Sequence, residues 1–517
     1  MKSLSIFSED HPYYPFVITI NVIITTFLTV SSAVATMISD SAIQGELALS
    51  DTATIWLTTL YLLGINLTVP CGNWLANRFG FKRMYASGVI IFSSASFFAA
   101  ISDHFFTIAS ARLIEGIGAG IIFPVGLALI IDSLPKTRIG LGVNLYIAGA
   151  FGGGLGLGIP LSGYLTQFHS WRDIFLIIVF FGFFTAASCW QTRAKKPILE
   201  HKPFDFFGFI AFAFFVSTFL IALTMGPIPA TDQGWHTPYI IVFFVIAAIS
   251  LTSFIVIEIR HPNPLIPMAL FKDPIFTVSL AAMFLLGMAT FASVSISVDY
   301  MLNGLLYEKF ATGKIAAVYG ITIGLISILS SHLSKIIPIP LLTFSGLSLL
   351  IFSYFYNNEL SWLTGATQVM TILLIRGIGI GLSLGPTTLL ALYDIPNELK
   401  SAAATILTFF RQMGGTYGGT LISIISIRQT VFHTARFGEQ SNSQLPAYKK
   451  TFHNLYDKFP DAAQAKAAII KNIMNQAYIQ GLNDALIVFG YVTSAVAFIL
   501  MVLIGYRMWK TRKATES

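Results

Sequence analysis

Apolar residues run along this chain in long blocks, neither alternating as in a half-buried strand nor spaced every three to four residues as on one face of a surface helix. Windows of about 20 predominantly apolar residues, the length a helix needs to cross a hydrocarbon core, recur fourteen times. Spans 1 to 7 are expected near residues 15–38, 54–75, 84–101, 106–131, 140–165, 173–191 and 206–225. Spans 8 to 14 are expected near 238–259, 275–298, 314–334, 338–356, 366–392, 401–427 and 485–508. This pattern predicts an all-α polytopic membrane protein.

Two gaps are longer than the rest. Residues 192–206 are basic and contain Pro197 and Pro203, as expected of a link between two parts of a bundle. The second gap, 428–484, is the only sizeable polar element. Within it Pro460 and Asp461 are expected to start a helix, with Gln464 three residues after Asp461 as in a capping box. Ile469, Ile470, Ile473, Met474, Ala477 and Tyr478 then share one face, and Lys466, Lys471 and Gln476 the other. The segment reads as a lid or a helix lying on the membrane surface, or alternatively as a docking element for an external partner.

Composition agrees: 55% of residues are apolar, 11% are charged and the mean hydropathy is +0.74, where soluble domains carry about 25% charged residues. Lys/Arg bias sets orientation. With the N-terminus inside, eighteen basic residues fall on the cytoplasmic side, among them Arg78, Lys82, Arg83, Lys195, Lys196 and Arg507, with Lys309 and Lys314 in the short loops opposite. Both termini are therefore expected in the cytoplasm. The net charge of +7 becomes an orientation signal, and the dispersal of its cations argues against nucleic-acid binding. No small-residue cleavage site follows the first apolar run, so span 1 is expected to be retained. Cys71 and Cys189 fall within spans and read as small buried apolar residues.

Charge inside the spans is the main chemical signal. A charge at membrane depth costs about 2.5–3.5 kcal/mol even on the lenient insertion scale, so Arg112 and Glu115, one helical turn apart in span 4, mark a functional site by default. Arg376 in span 12 and Arg411 in span 13 would contact an anionic substrate or a carboxylate, unless they snorkel to the interface. Ser32, Asn66 and Asn144, with the aromatic residues Tyr61, Tyr146 and Phe410, would line a cavity or bond one helix to another. Gly154, Gly158 and Gly163 around Pro160 in span 5, and Pro386 in span 12, would let helices bend or pack closely. The nine histidines are scattered and no H-E-x-x-H, cysteine cluster or G-x-S-x-G appears, so neither a catalytic site, a metal site nor a cofactor is expected. A channel or non-transporting receptor stays open as a remote alternative.

Four segments are similar to the major facilitator superfamily, and specifically to its fourteen-span drug:proton antiporter branch. After span 2, Gly72, Asn77, Arg78, Gly80, Lys82 and Arg83 in GNWLANRFGFKR resemble the family's gating loop G-x-L-A-D-R-x-G-R-K/R. Arg112, Gly116 and Gly118 resemble R-x-x-Q-G-x-G, Trp171, Arg172, Ile174 and Phe175 resemble W-R-x-I-F, and EIRHPNPLIPMALFKDPIF from Glu258 resembles the link into the second half. RGIGIGLSLGP and FFRQMGGTYGG, from Arg376 and Phe409, are also similar to this branch. The resemblance implies two six-helix halves, 1–191 and 273–517, with a linker and two extra helices at 192–272. It implies proton-coupled export of a small amphipathic compound or drug from the cytoplasmic (inner) membrane by alternating access, with a periplasmic adaptor as a possible partner. Import, or transport of a specific anionic metabolite or siderophore, is the alternative.

The departures from that pattern point to a mechanism. The loop's usual Asp is Asn77, the Asp usual in span 1 is absent near Ser31 and Ser32, and the glutamine of the span 4 motif is Glu115. In span 5 the family's G-P pair is displaced, proline coming at Pro160. If Glu115 replaces the lost carboxylate of span 1, protonation there would neutralise it and release Arg112.

Overall fold

A computed structural model describes residues 13–191, 203–226, 234–356, 360–361, 363–440, 453 and 462–516. The basic linker residues 192–202 and the helix start expected at Pro460 and Asp461 lie outside the described residues. Every regular element described is a helix. Local chemistry sets several starts: Ser50 Oγ accepts from Ala53 N at the head of span 2 (3.2 Å), Asp205 from Gly208 N at the head of span 7 (2.8 Å) and Asp273 from Ile275 N at the head of span 9 (3.0 Å). These acceptors satisfy amide donors that the first turn leaves unpaired. Pro238 and Pro274 occupy the first turns of spans 8 and 9, where proline costs no hydrogen bond.

Among the described residues, twelve helices are long and apolar enough to cross a membrane. The helices Phe81–Ala100 and Lys400–Gln440 complete the fourteen expected positions. Phe81–Ala100 is less apolar because it opens with Lys82 and Arg83 and holds four serines, and Lys400–Gln440 because it is rich in Ser, Thr and Gly, small residues suited to contact with other helices in lipid. A Cβ on Gly118 of span 4 would come within 2.6 Å of Phe92 N in span 3, and one on Gly418 of span 13 within 2.6 Å of Met288 in span 9. Span 8 is the opposite case: 17% of its most apolar window is buried, and Val242, Val245, Ile249, Val256 and Ile259 stay exposed on its flank, as on a helix that faces lipid.

The first six helices and the last six touch chiefly through span 5 and span 10. Gly152 lies against Gly324 and Gly156 against Gly320, backbone to backbone. Span 5 is not uniform: a π-helical stretch, Ala148–Gly153, separates Ile139–Ile147 from Gly158–Phe168. That stretch is where the helix departs from regular α geometry. Gly154, Gly158 and Gly163 serve as seats for close neighbours: Val30, Ser31 and the Lys309 carbonyl, respectively, occupy the space a side chain would need. Pro160 touches Gly313 of span 10, and Pro386 lies inside an uninterrupted helix, Ala366–Leu392.

The element at 428–484 differs from expectation. Span 13 continues as helix to Gln440, and the segment from Ala462 runs without a break through span 14 to Glu516. The amphipathic stretch at 462–478 is therefore a coaxial continuation of span 14, not a separate helix with its own orientation. Side chains stitch it down. His433 Nε2 and Asp484 Oδ2 are 2.7 Å apart, Asn475 Nδ2 donates to Gly304 O (3.0 Å), and Asn483 Nδ2 donates to Leu360 O (3.0 Å). Ile469 and Ala477 are buried by this packing, whereas Ile470 and Met474 remain exposed.

Two glycines of span 13 should respond oppositely to an added methyl. Gly414 faces the carbonyl of Phe284, whereas nothing approaches within 4 Å of a Cβ on Gly419. Gly414→Ala is expected to lower the melting temperature of the purified protein, overpacking costing about 1–3 kcal/mol. Gly419→Ala is expected to raise it slightly, by the roughly 0.5–1 kcal/mol that Ala gains over Gly inside a helix.

Candidate functional site

Span 4, Phe105–Ser133, carries the apolar, glycine-rich surface that lets spans 1, 2 and 3 close around it. On the turn they enclose, Arg112 and Glu115 are both fully buried. Arg112 Nη1 donates to Glu115 Oε2 at 2.5 Å and to Ser32 Oγ at 2.7 Å. Glu115 Oε1 accepts from Ser32 Oγ (2.6 Å) and from Ser96 Oγ of span 3 (2.7 Å). Arg112 Nε reaches Leu57 O of span 2 at 3.4 Å, and the guanidinium lies 4.1 Å from the Tyr61 ring centroid, a cation–π distance. Tyr61 in turn donates to Thr29 O at 2.7 Å. Four helices thus converge on one ion pair whose charges cancel and whose hydrogen-bonding capacity is largely met inside the protein. Such a pair persists in a dry interior only because both ions are bonded by further groups.

Ser32 occupies the place in span 1 where an acid is expected by resemblance, and it touches Glu115 directly. Ser96 is absent from the sequence reading; its signal is a run of serines, Ser93, Ser94 and Ser96, within an otherwise apolar block.

A second missed signal is an internal repeat. Span 4 reads LIEGIGAG from Leu113 and span 12 reads LIRGIGIG from Leu374. The packing repeats with the letters. Gly116 faces Tyr61 O and Gly377 faces Tyr319 O; Gly118 faces Phe92 N and Gly379 faces Leu350 N; Gly120 faces Ile65 O and Gly381 faces Ile323 O. Tyr319 donates to Thr290 O (3.2 Å) as Tyr61 does to Thr29 O. In this correspondence Arg376 stands at the position of Glu115. Its Nε is 3.4 Å from Ser353 Oγ and its guanidinium 5.0 Å from the Tyr354 ring centroid. Arg376 therefore belongs to the packed interior of the last six helices, apart from the span 4 pair.

Asn66 and Arg411 each make a hydrogen bond that crosses between the two sets of helices. Asn66 Nδ2 donates to Thr416 Oγ1 at 2.7 Å, and Arg411 Nη2 to Tyr146 Oη at 3.3 Å. Phe410 is half-buried beside Phe409, their ring centroids 5.7 Å apart. Asn144 sits elsewhere on the same interface, its Oδ1 accepting from Ser330 Oγ (3.2 Å) and packed against Gly385.

The residues that resemble the family's gating loop form a short helix, Gly72–Phe79, and the turn after it. Gly80 has φ 91°, a conformation that side chains disfavour, which explains a glycine there. Gly72 packs on Pro124 of span 4. Asn77 bonds within its own helix, Nδ2 lying 3.5 Å from Asn73 Oδ1, and it is Asn73 that accepts from Ser401 Oγ of span 13 at 2.9 Å. Arg83 is exposed, with Arg78 and Lys82 half-buried. At the opposite end of the bundle, Gln167 donates to Glu308 Oε2 and accepts from Phe310 N, both at 2.9 Å. At that same end Arg172, a third cation beside Lys309 and Lys314, bonds Glu46, Asp103 and the carbonyl of Ser102. Contacts therefore close the two sets of helices at both ends. Among the described residues no group of three His, Cys, Asp or Glu is arranged to hold a metal ion.

Comparison with known proteins gives one consistent result. The family model described as Major Facilitator Superfamily matches residues 20–419. The uncharacterized MFS-type transporter YhcA of Bacillus subtilis is 24% identical, the match covering 89% of this chain and 87% of that protein. The multidrug export protein EmrB of Escherichia coli is also 24% identical, over 90% of this chain and 91% of that protein. In fold, the chain resembles the crystal structure of a bacterial homologue of the human lysosomal transporter Spinster in an inward-facing, unoccupied conformation. The TM-score is 0.57 at 15% identity, with 95% of this chain and 97% of that chain covered.

The ion pair of span 4 makes a thermodynamic cycle informative. Arg112→Leu and Glu115→Leu should each destabilise the purified protein strongly, since stranding one buried charge costs about 3–5 kcal/mol. The double variant is expected to melt above both single variants. A double variant whose loss equals the sum of the two would show that the charges are not coupled.

Proposed function

The chain belongs to the major facilitator superfamily and is a multi-pass integral membrane transporter, not an enzyme, and from that premise we propose that it exports small amphipathic compounds in exchange for protons. The printed names of relatives such as EmrB support efflux. The observation that carries the coupling half of the proposal is Glu115, a wholly buried carboxylate that one salt bridge and two hydroxyls tie to spans 1, 3 and 4.

In this reading residues 1–191 and 273–517 are the two rocking halves, and 192–272 supply the linker and the extra helices. The Gly72–Arg83 end faces the cytoplasm, both termini lie there, and the membrane is the cytoplasmic one. Interface contacts at both ends mark a closed state in which the path is sealed. A proton reaching Glu115 removes the charge that Arg112 and the two serines satisfy, so the knot joining span 1 to span 4 loosens. The Gln167–Glu308 and Asn73–Ser401 contacts then become alternative latches, one broken for each direction of access. The exposed Ile470 and Met474, on the continuation of span 14, offer a place for a periplasmic adaptor.

Purified protein in sealed vesicles with an imposed inward proton gradient tests the proposal. Wild type should move an amphipathic dye against its gradient and stop on addition of a protonophore. Glu115→Gln is expected to keep downhill exchange while losing at least about tenfold of gradient-driven accumulation, roughly 1.4 kcal/mol of coupling. A Glu115→Gln protein with undiminished proton-driven accumulation would remove Glu115 from the mechanism.

A further inference from the structure

The polar cluster on span 13 has bonding capacity that its neighbours leave unused. Arg411, Asn66 and Gln412 are 2%, 0% and 4% exposed. Yet Arg411 Nε, Asn66 Oδ1 and Gln412 Oε1 have no hydrogen-bond partner among the described residues. Leaving a buried donor or acceptor unsatisfied costs about 1–3 kcal/mol each, so three on adjoining side chains need a reason. Two of them belong together: Gln412 and Thr416 are one turn apart on one face of span 13, and Thr416 holds Asn66 across the interface, while Arg411 leaves the same turn on the neighbouring face. Aromatic faces flank the cation, with the Tyr146 and Phe151 ring centroids 5.6 and 5.2 Å from the guanidinium carbon. Phe151 stands edge-on to Phe291, centroid to centroid 6.0 Å.

The helix backbone is pinned behind this cluster. A Cβ on Gly287 of span 9 would meet the Arg411 carbonyl, and Gly414 packs on the Phe284 carbonyl. Span 13 is thus held against span 9 by its backbone while Arg411 reaches across to span 5. What holds Arg411 on that side is a single bond to a neutral phenol at 3.3 Å, a contact that a carboxylate would outcompete, because it brings an opposite charge and two parallel N–H···O bonds to the guanidinium.

We propose that Arg411, with Tyr146 and Phe151, is the seat for the anionic group of an aromatic organic anion, and that Asn66 and Gln412 accept from a hydroxyl or amide donor on the same molecule. The proposal rests on the transporter reading above and names its substrate class. When the two sets of helices part, the Arg411–Tyr146 and Asn66–Thr416 bonds break, and the substrate takes their place. The flanking rings receive its aromatic part, and the span 4 pair, self-neutralised, does not compete for its charge.

A matched fluorescent series tests this: dansylglycine, dansylglycinamide and dansylcholine, one fluorophore carrying a negative, no or a positive charge. Binding to purified full-length protein is read by displacement of bound dansylglycine and by thermal stabilisation, and transport by vesicle flux. Wild type is expected to bind dansylglycine at least tenfold more tightly than dansylglycinamide. Arg411→Gln should remove that preference while still binding dansylglycinamide, and Arg411→Lys should restore part of it. Tyr146→Phe is a second variant that keeps the guanidinium and does not depend on Arg411→Gln folding: it removes the competing phenol and is expected to strengthen dansylglycine binding.

Equal wild-type affinity for the anion and the amide, or an anion preference that survives in Arg411→Gln, would overturn the proposal. Protonophore-sensitive export of dansylcholine without any charge preference would leave the exporter reading standing and this one refuted. Anion binding lost in Arg411→Gln, with no proton-driven transport of any of the three, would do the reverse.

Discussion

Hydrocarbon offers no water to a buried charge, and the arrangement of the first four helices follows from that single fact. Arg112 and Glu115 neutralise each other, but each ion also needs hydrogen-bond partners that only neighbouring helices supply. Ser32 brings span 1, Leu57 O brings span 2 and Ser96 brings span 3, all against the same turn of span 4. Such convergence demands near contact between backbones, which is why the glycines flank the pair. Gly116 lies on the Tyr61 carbonyl and Gly64 on the Leu113 carbonyl. Polar specificity and close packing are thus one design: the glycines bring the helices near enough for short side chains such as serine to reach the charges.

The last six helices reuse that scaffold with different chemistry. The tyrosine brace, the three glycine seats and the backbone partners recur around span 12, but a guanidinium takes the place of the carboxylate. A carboxylate is an acceptor of hydrogen bonds and a guanidinium only a donor, so the two positions call for opposite partners. Two structurally equivalent positions therefore carry opposite charge, and the ion pair is built on one side of the molecule.

Much of this was legible in the chain, since twenty apolar residues in a row permit few structures. What escaped reading has identifiable physical causes. The stretch before residue 485 reads as a separate amphipathic helix, and its continuity with span 14 is secured by contacts far away in sequence, His433 with Asp484 and Asn475 with Gly304. Ser96 carries no charge and becomes notable only once Glu115 lies 2.7 Å away. Asn77 stands where the family's loop has Asp, but its amide bonds Asn73 within its own helix, and it is Asn73, unremarked in the motif, that makes the cross-contact with Ser401. The repeat between spans 4 and 12 was present in the letters, and the glycine contacts give it meaning by showing that matched residues have matched neighbours.

Continuity of the last two helices has a mechanical side. Lys400–Gln440 contains 41 residues, about 60 Å of helix at 1.5 Å per residue, roughly twice the thickness of a hydrocarbon core. A rod of that length is a lever with its fulcrum in the bilayer. A tilt of about 10° about the membrane centre shifts the rod by under about 3 Å at the membrane surface but by about 8 Å at a tip some 45 Å out. The His433–Asp484 contact ties this rod to the neighbouring one, Ala462–Glu516, so that the pair moves as one piece. Whatever touches the far end of that hairpin feels a magnified copy of events at the level of Arg411.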